Sequence, residues 1–318
     1  MRFTDRETIR ACILGLAVAD AIGVPVEFCS REELDADPVT GVRGFGSHFV
    51  PAGTWSDDTS MTLCALDALA QETFSWESVM DNFVKWERDA AFTATDELFD
   101  IGLSCQRAID NYARLHMAAT DCGPTGARDN GNGSLMRILP FALYAPEDPA
   151  LIETASDLTH GHRRAEMACG IYALLLRGIL TGGKDGIPAA LDAAEARYGG
   201  ETEWKHYAPL RTIETRSRES IRSSGYVVDT LEAALWCLLT TDNYRDCILK
   251  AVNLGEDTDT VAAVAGGLAG GLYGLAGIPQ EWLAALLRRE LIEELCDRAA
   301  QRWAESEPAG SAPVRSGM

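Results

Sequence analysis

Two stretches of the chain place paired carboxylates beside hydroxyl side chains at the start of an apolar helix. In Gly53-Thr54-Trp55-Ser56-Asp57-Asp58-Thr59 the adjacent acids precede the helical run Met61, Cys64, Leu66, Leu69, and the acidic pair is expected to cap its first turn. In Gly255-Glu256-Asp257-Thr258-Asp259-Thr260 the same chemistry opens a second apolar helix. The macrodipole and the unpaired N–H groups of a helix N-terminus stabilise one carboxylate, but they do not call for two. Adjacent acids flanked by Ser56 and Thr59 offer several hard oxygens, the donor type that Mg²⁺, Mn²⁺ or Ca²⁺ takes. For either stretch alone, capping plus solvation is the competing explanation. Taken together, two such N-termini can meet only if a cation offsets their repulsion, and a two-metal site is the simplest arrangement that uses both.

A rival reading of Asp257-Thr258-Asp259-Thr260-Val261 is the Asp-x-Asp nucleophile motif of haloacid-dehalogenase-like phosphatases. That motif needs a preceding strand and a long doubly wound sheet after it, whereas here a helix follows near the end of the chain. Between the two clusters lie Phe99-Asp100-Ile101-Gly102, Gly131-Asn132-Gly133-Ser134-Leu135-Met136-Arg137 and Thr159-His160. Asp100 interrupts an apolar run, as a solvated helix position also would. The Gly-Asn-Gly-Ser turn opens a helix and exposes N–H groups that suit a phosphate, and His160 fits a helix cap or a surface histidine equally well.

The elements that must position these residues read as almost entirely helical. Capping-box spacing at Thr4-Asp5-Arg6-Glu7 starts a first helix that runs to about Ala21, with Asp20 breaking its apolar stripe. Residues 30–53 carry no sustained period and read as a long loop. Helical patterns then cover 58–71, 76–89, 97–117, 134–144, 150–159, 163–181, 186–198, 206–223, 229–240, 244–254, 259–276 and 280–303. Alternating β-branched runs are nearly absent, so the expected fold is an all-α, single-domain multi-helix bundle over 1–304, with a flexible C-terminal tail at 305–318. Its centre is expected at the Gly-rich helix, where Gly266, Gly270 and Gly274 fall four apart and let neighbours approach closely.

With 28 Lys+Arg against 48 Asp+Glu in 318 residues, the net charge of −20 argues against nonspecific nucleic-acid binding and against anionic membranes. The apolar segment 11–18 is bracketed by acids, and 261–278 is one-third glycine without flanking Lys or Arg, so both read as buried helices of a soluble protein. Nine cysteines without a Cys-x-x-Cys pair, most inside apolar runs, fit reduced thiols in a cytoplasmic protein.

As an ordered set, these motifs resemble the ADP-ribosylglycohydrolase family. The resemblance spans roughly residues 8–277 and rests on GLAVADAIGVPVE at 15–27, GTWSDDTSM at 53–61, FDIG at 99–102, GNGSLMR at 131–137, TH at 159–160, GYVVDTLEAALW at 225–236 and GEDTDTVAA at 255–263. It implies an all-helical fold with a binuclear Mg²⁺ or Mn²⁺ centre at the bottom of a cleft. Ser56, Asp57 and Asp58 would match the first ligand set, with Ser56 where many relatives have Thr, and Asp257, Asp259 and Thr260 would match the second. Glu27 and Asp100 match positions implicated in acid/base work, without a choice between them. Asn132, Gly133 and Ser134, with His160, would face the ADP-ribose diphosphate and adenosine.

The implied activity is hydrolysis of the glycosidic bond between ADP-ribose and its acceptor, releasing ADP-ribose from an ADP-ribosylated protein or small molecule. Asp96 and Glu97 stand where several relatives have small residues, and their charge would favour a cationic leaving group such as arginine. The alternatives are a non-catalytic ADP-ribose-binding relative and a hydrolase of another conjugate, serine-linked, an ester or a nucleic-acid end. The complete set of oxygen-bearing ligand positions favours catalysis.

Overall fold

The computed structural model describes residues 3–305. Its α-helices are α1 Arg6–Gly23, α2 Arg31–Ala36, α3 Asp57–Leu69, α4 Trp76–Asp89, α5 Leu103–Leu115, α6 Leu139–Tyr144, α7 Pro149–Asp157, α8 Arg163–Gly182, α9 Ile187–Tyr198, α10 Val227–Leu239, α11 Tyr244–Val252, α12 Thr258–Tyr273, α13 Gln280–Ala285 and α14 Arg289–Glu305. Among the described residues there is no β-strand, only two isolated bridges, Phe45 with Val50 and Gly131 with Tyr226. The expected tail lies outside the described residues except for Glu305, which ends α14.

The helices are arranged around the pair α1 and α12. Every residue of α12 from Thr258 to Gly270 is buried. Its glycines are there for proximity: a Cβ at Gly270 would sit 2.1 Å from the Ala11 carbonyl oxygen, and one at Gly15 would sit 2.6 Å from that of Gly266. Real Cβ atoms do not come so close, so only glycine lets these two backbones touch. The helices α3, α8, α10 and α11 pack around this pair. The apolar segments Arg6–Val26 and Arg163–Tyr198 are long enough to cross a membrane, but 94% and 61% of their apolar windows are buried inside the fold.

Several sequence-based boundaries need correction. The expected loop at 30–53 contains α2, nucleated by a capping box in which the Ser30 side chain accepts from Glu33 N–H and Glu33 accepts from Ser30 N–H. The expected helix 97–117 begins only at Leu103, with Gly102 extended as its N-cap, and the segment between α4 and α5 is irregular, with positive φ at Ala90, Phe92 and Asp96. The expected helix 134–144 shortens to α6, since Gly133 to Arg137 form turns. The stretch expected as helix 206–223 is a chain of 3₁₀ turns, Ala208–Thr215 and Arg218–Ser220. There Thr212, Thr215 and Ser220 hydroxyls donate to carbonyls three residues back. The helix expected over 280–303 breaks at Leu286–Arg288, where Leu287 N–H leaves the helix ladder to donate to Gly53 O at 3.0 Å.

Candidate metal centre and cleft

The N-terminus of α3 is anchored from beneath. Asp20, in the last turns of α1 and fully buried, accepts from Ser56 N–H at 3.0 Å, Thr59 N–H at 3.1 Å and Thr59 Oγ1 at 2.6 Å. A carboxylate thus takes two of the unpaired donors that open this helix. Ser56, and not the acidic pair, is the N-cap, with its Oγ accepting from Asp58 N–H at 3.3 Å. Asp57 and Asp58 are therefore released from capping. Asp57 lines the cleft and accepts from Gly102 N–H at 3.4 Å, while Asp58 lies deeper with Oδ2 unpaired.

The N-terminus of α12 is held by loops. Asp257 N–H donates to Ser223 O, and Asn132 Nδ2 donates to Asp257 Oδ2 at 2.8 Å and to Thr230 Oγ1 at 2.9 Å. Phe28 N–H donates to Glu256 O and Glu256 N–H to Cys29 O, both at 2.7 Å, which ties the segment after Glu27 to this helix start. Thr260 Oγ1 reaches across to Asp58 Oδ1 at 3.3 Å, so the two helix ends meet although 202 residues separate these two positions.

The acids converge in two groups, Asp20 with Asp58 and Asp259, and Glu27 with Asp257 and Asp259, each with one oxygen per residue within 4.8 Å of the others. Burial first, then the neighbouring carboxylates, pushes Asp57, Asp58 and Asp259 well above the ordinary carboxylate range. Burial also raises Asp20 to about 6. Asp58 Oδ2 and Asp257 Oδ1 are buried without any hydrogen-bond partner. Unpaired buried oxygens amid mutual repulsion are what a divalent cation satisfies, and the donor set fits such ions.

Above these acids opens a cleft of about 550 Å³ whose lining includes Glu27, Asp57, Asp100, Asn132, Gly133 and His160. Glu27 is raised to about 7 by burial, opposed by its hydrogen bond with His48 and reinforced by Asp100. His48 is in turn raised by that bond, its ring lying between Phe28 and Phe99 at centroid distances of 5.8 and 5.2 Å. Asp100, in the irregular segment before α5, is raised by burial. Glu27, His48 and Asp100 present atoms within 4.8 Å of one another.

Of the residues singled out from sequence, the structure gathers Ser56, Asp57, Asp58, Asp257, Asp259, Thr260, Glu27, Asp100, Asn132, Gly133 and His160 around one cleft and its floor. Ser134 is different. Its hydroxyl accepts from Ser156 Oγ at 2.9 Å in a fully buried pair, and it is not among the residues that line the cleft. Asp96 also departs from expectation, since it is bound to Arg288 at 2.7 Å, whereas Glu97 lines a small recess with Asp57 and Asp100. Sequence reading missed Asp20 and His48 as members of the site. Asp20 left a trace as the acid in an apolar stripe; His48 lies in an aperiodic loop that left none.

A family model described as ADP-ribosylglycohydrolase matches residues 1–309. The chain belongs to the ADP-ribosylglycohydrolase family. This ADP-ribosylglycohydrolase is 35% identical to the ADP-ribosylarginine hydrolase Tri1 of Pseudomonas putida, over 92% of this chain and 78% of the relative. It is 31% identical to the ADP-ribosyl-[dinitrogen reductase] glycohydrolase of Rhodospirillum rubrum, over 86% of this chain and 88% of that one. A solved structure described as an ADP-ribosylglycohydrolase-related protein complex aligns with a TM-score of 0.77 at 34% identity, covering 94% of this chain and 98% of its own. The chain is accordingly an ADP-ribosyl hydrolase acting on glycosidic bonds, and its acidic clusters are of a kind that can hold metal ions.

Proposed function

We propose that this hydrolase cleaves the N-glycosidic bond joining ADP-ribose to an arginine side chain of a protein, releasing ADP-ribose, with two Mg²⁺ or Mn²⁺ ions as cofactors. The observation that carries this reading is the meeting of two acidic helix N-termini beneath a cleft, in a chain similar to hydrolases named for ADP-ribosylarginine. Ser56, Asp57 and Asp58 from α3 and Asp257, Asp259 and Thr260 from α12 would hold the ions. When bound, such cations supply Lewis-acid polarisation and orientation of ribose hydroxyls and water.

The chain's own residues do the rest. Asn132 orients Asp257, while Gly133 and His160 line the cleft where the diphosphate and adenosine would lie. Glu27, with a carboxyl group raised to about 7, is suited to give a proton to the departing guanidine near neutral pH. Asp100 faces the same cavity and stabilises positive charge developing at the anomeric carbon. Glu97 beside them adds negative charge on the acceptor side. The nine free thiols, eight of them buried, support a cytoplasmic location.

The test is a panel of defined conjugates, ADP-ribosyl-arginine, ADP-ribosyl-serine and an ADP-ribose ester, with Mg²⁺ or Mn²⁺ and with chelator. Arginine release should dominate and chelator should abolish it. Faster hydrolysis of the serine conjugate or the ester would overturn the acceptor, and full activity in chelator would overturn the ion requirement.

A further inference from the structure

Arg137 is fully buried, yet among the described residues no carboxylate lies within salt-bridge distance of it. Its guanidinium lies over the Phe83 ring at 5.1 Å, with Nε and Nη1 unpaired. Burying a lone cation costs several kcal/mol, roughly, so its position calls for an account. Only Nη2 is engaged, donating to Ala155 O at 3.0 Å and to Thr159 Oγ1 at 2.7 Å.

The second bond has a consequence one residue further on. Thr159 Oγ1 uses a lone pair on Arg137, and its own proton can go to His160 Nδ1 at 3.0 Å or to the Cys105 thiol. An imidazole nitrogen lone pair is the stronger acceptor. If Nδ1 accepts, the ring proton sits on Nε2. The Nε2 edge lies beside Gly131 and Gly133, where an added Cβ would come within 3.3 Å of Nε2 and 2.8 Å of Cε1, and all three residues line the cleft. Burial, with Arg137 adding to it, lowers His160 to about 3, so the ring is neutral at physiological pH.

We propose that Arg137 and Thr159 are positioning residues that fix His160 as a neutral imidazole with its proton on Nε2, presenting one hydrogen-bond donor to an anionic ligand oxygen in the cleft. The opposite tautomer would aim a lone pair at that oxygen and repel it. The ligand end of this inference rests on the ADP-ribose reading given above; the tautomer does not.

The experiment is a two-bond ¹H–¹⁵N correlation spectrum of the full-length protein, with the His160 signals assigned by their loss in His160→Gln, alongside calorimetric titration with ADP-ribose. In the wild type, Nε2 should give a protonated-type shift and Nδ1 an unprotonated one. Thr159→Val should mix the two tautomers and weaken ADP-ribose binding by about tenfold, the scale of one hydrogen bond, and Thr159→Ser should restore both. A wild-type proton on Nδ1, or a Thr159→Val protein that keeps the Nε2 tautomer, would overturn the inference. A wild type that binds no ADP-ribose would instead count against the reading of the cleft, while the ligand-free spectrum still decides the tautomer.

Discussion

The two acidic helix ends meet in one place but are supported differently. At α3 the backbone donors are taken by one buried carboxylate, Asp20, so Asp57 and Asp58 are held by a charge beneath them. At α12 the support comes from loops: Asn132 from the Gly-rich turn, Ser223 from the turn before α10, and the 28–29 backbone. The α3 half is thus preorganised by the interior of the protein, and the α12 half by segments that also form the cleft wall. Changes in the cleft should therefore reach Asp257 and leave Asp58 in place.

The largest effect is expected from Asp259→Ala, since Asp259 belongs to both carboxylate groups. Turnover of ADP-ribosyl-arginine should fall about a hundred- to thousandfold, measured under saturating Mn²⁺. Next comes Asp20→Asn, which keeps the shape but loses the charge under α3. Mn²⁺ affinity, read by calorimetry, should fall about ten- to hundredfold, whereas Asn132→Ala at the loop-held half should lower it less, because Ser223 and the 28–29 backbone still hold the start of α12, and should also raise KM. Equal metal losses in both variants would erase the contrast between the halves.

Metal-free stability supplies a third test. Asp20 and Glu27 have folded values of about 6 and about 7, above their ordinary 3.8 and 4.5. Groups raised in this way contribute stability that is complete below pH 4 and lost as pH rises through 6 and 7. The thermal midpoint of chelated protein should therefore fall between pH 4 and 7.5, and Mn²⁺ should recover it at the upper end. A midpoint that rose over this range without metal would contradict the burial that raises these two carboxyl groups. The smallest effect belongs to the acceptor side. Glu97→Gln should lower kcat/KM for the arginine conjugate by about two- to fivefold, the scale of an exposed ion pair, and Asp96→Asn should do less because Arg288 already offsets Asp96.

How much of this could be read beforehand depended on periodicity. The pairs at 57–58 and 257–259 stood out because each interrupts the onset of a regular apolar helix, and the glycines of α12 announced close packing by their spacing. Asp20 was visible as an irregularity, but its partners Ser56 and Thr59 lie 36 and 39 residues away, a distance no local pattern encodes. His48 was invisible because its loop has no period and its role comes from contact with Glu27. The turns at 208–220 were misread because their spacing fits a helix, while short side-chain-to-backbone bonds close 3₁₀ turns instead.

The contact between α1 and α12 also governs how the protein is made. Thr258 bonds to Gly23 across 235 residues, so the first helix cannot reach its permanent neighbour until nearly the whole chain has been synthesised. At about 5–20 residues per second, that leaves the face of α1 that α12 covers waiting on the order of ten to fifty seconds, while α3 and α6 are available to its other sides earlier. Overproduction should thus be limited by co-translational protection of the N-terminal segment, and slower translation should lengthen that exposure.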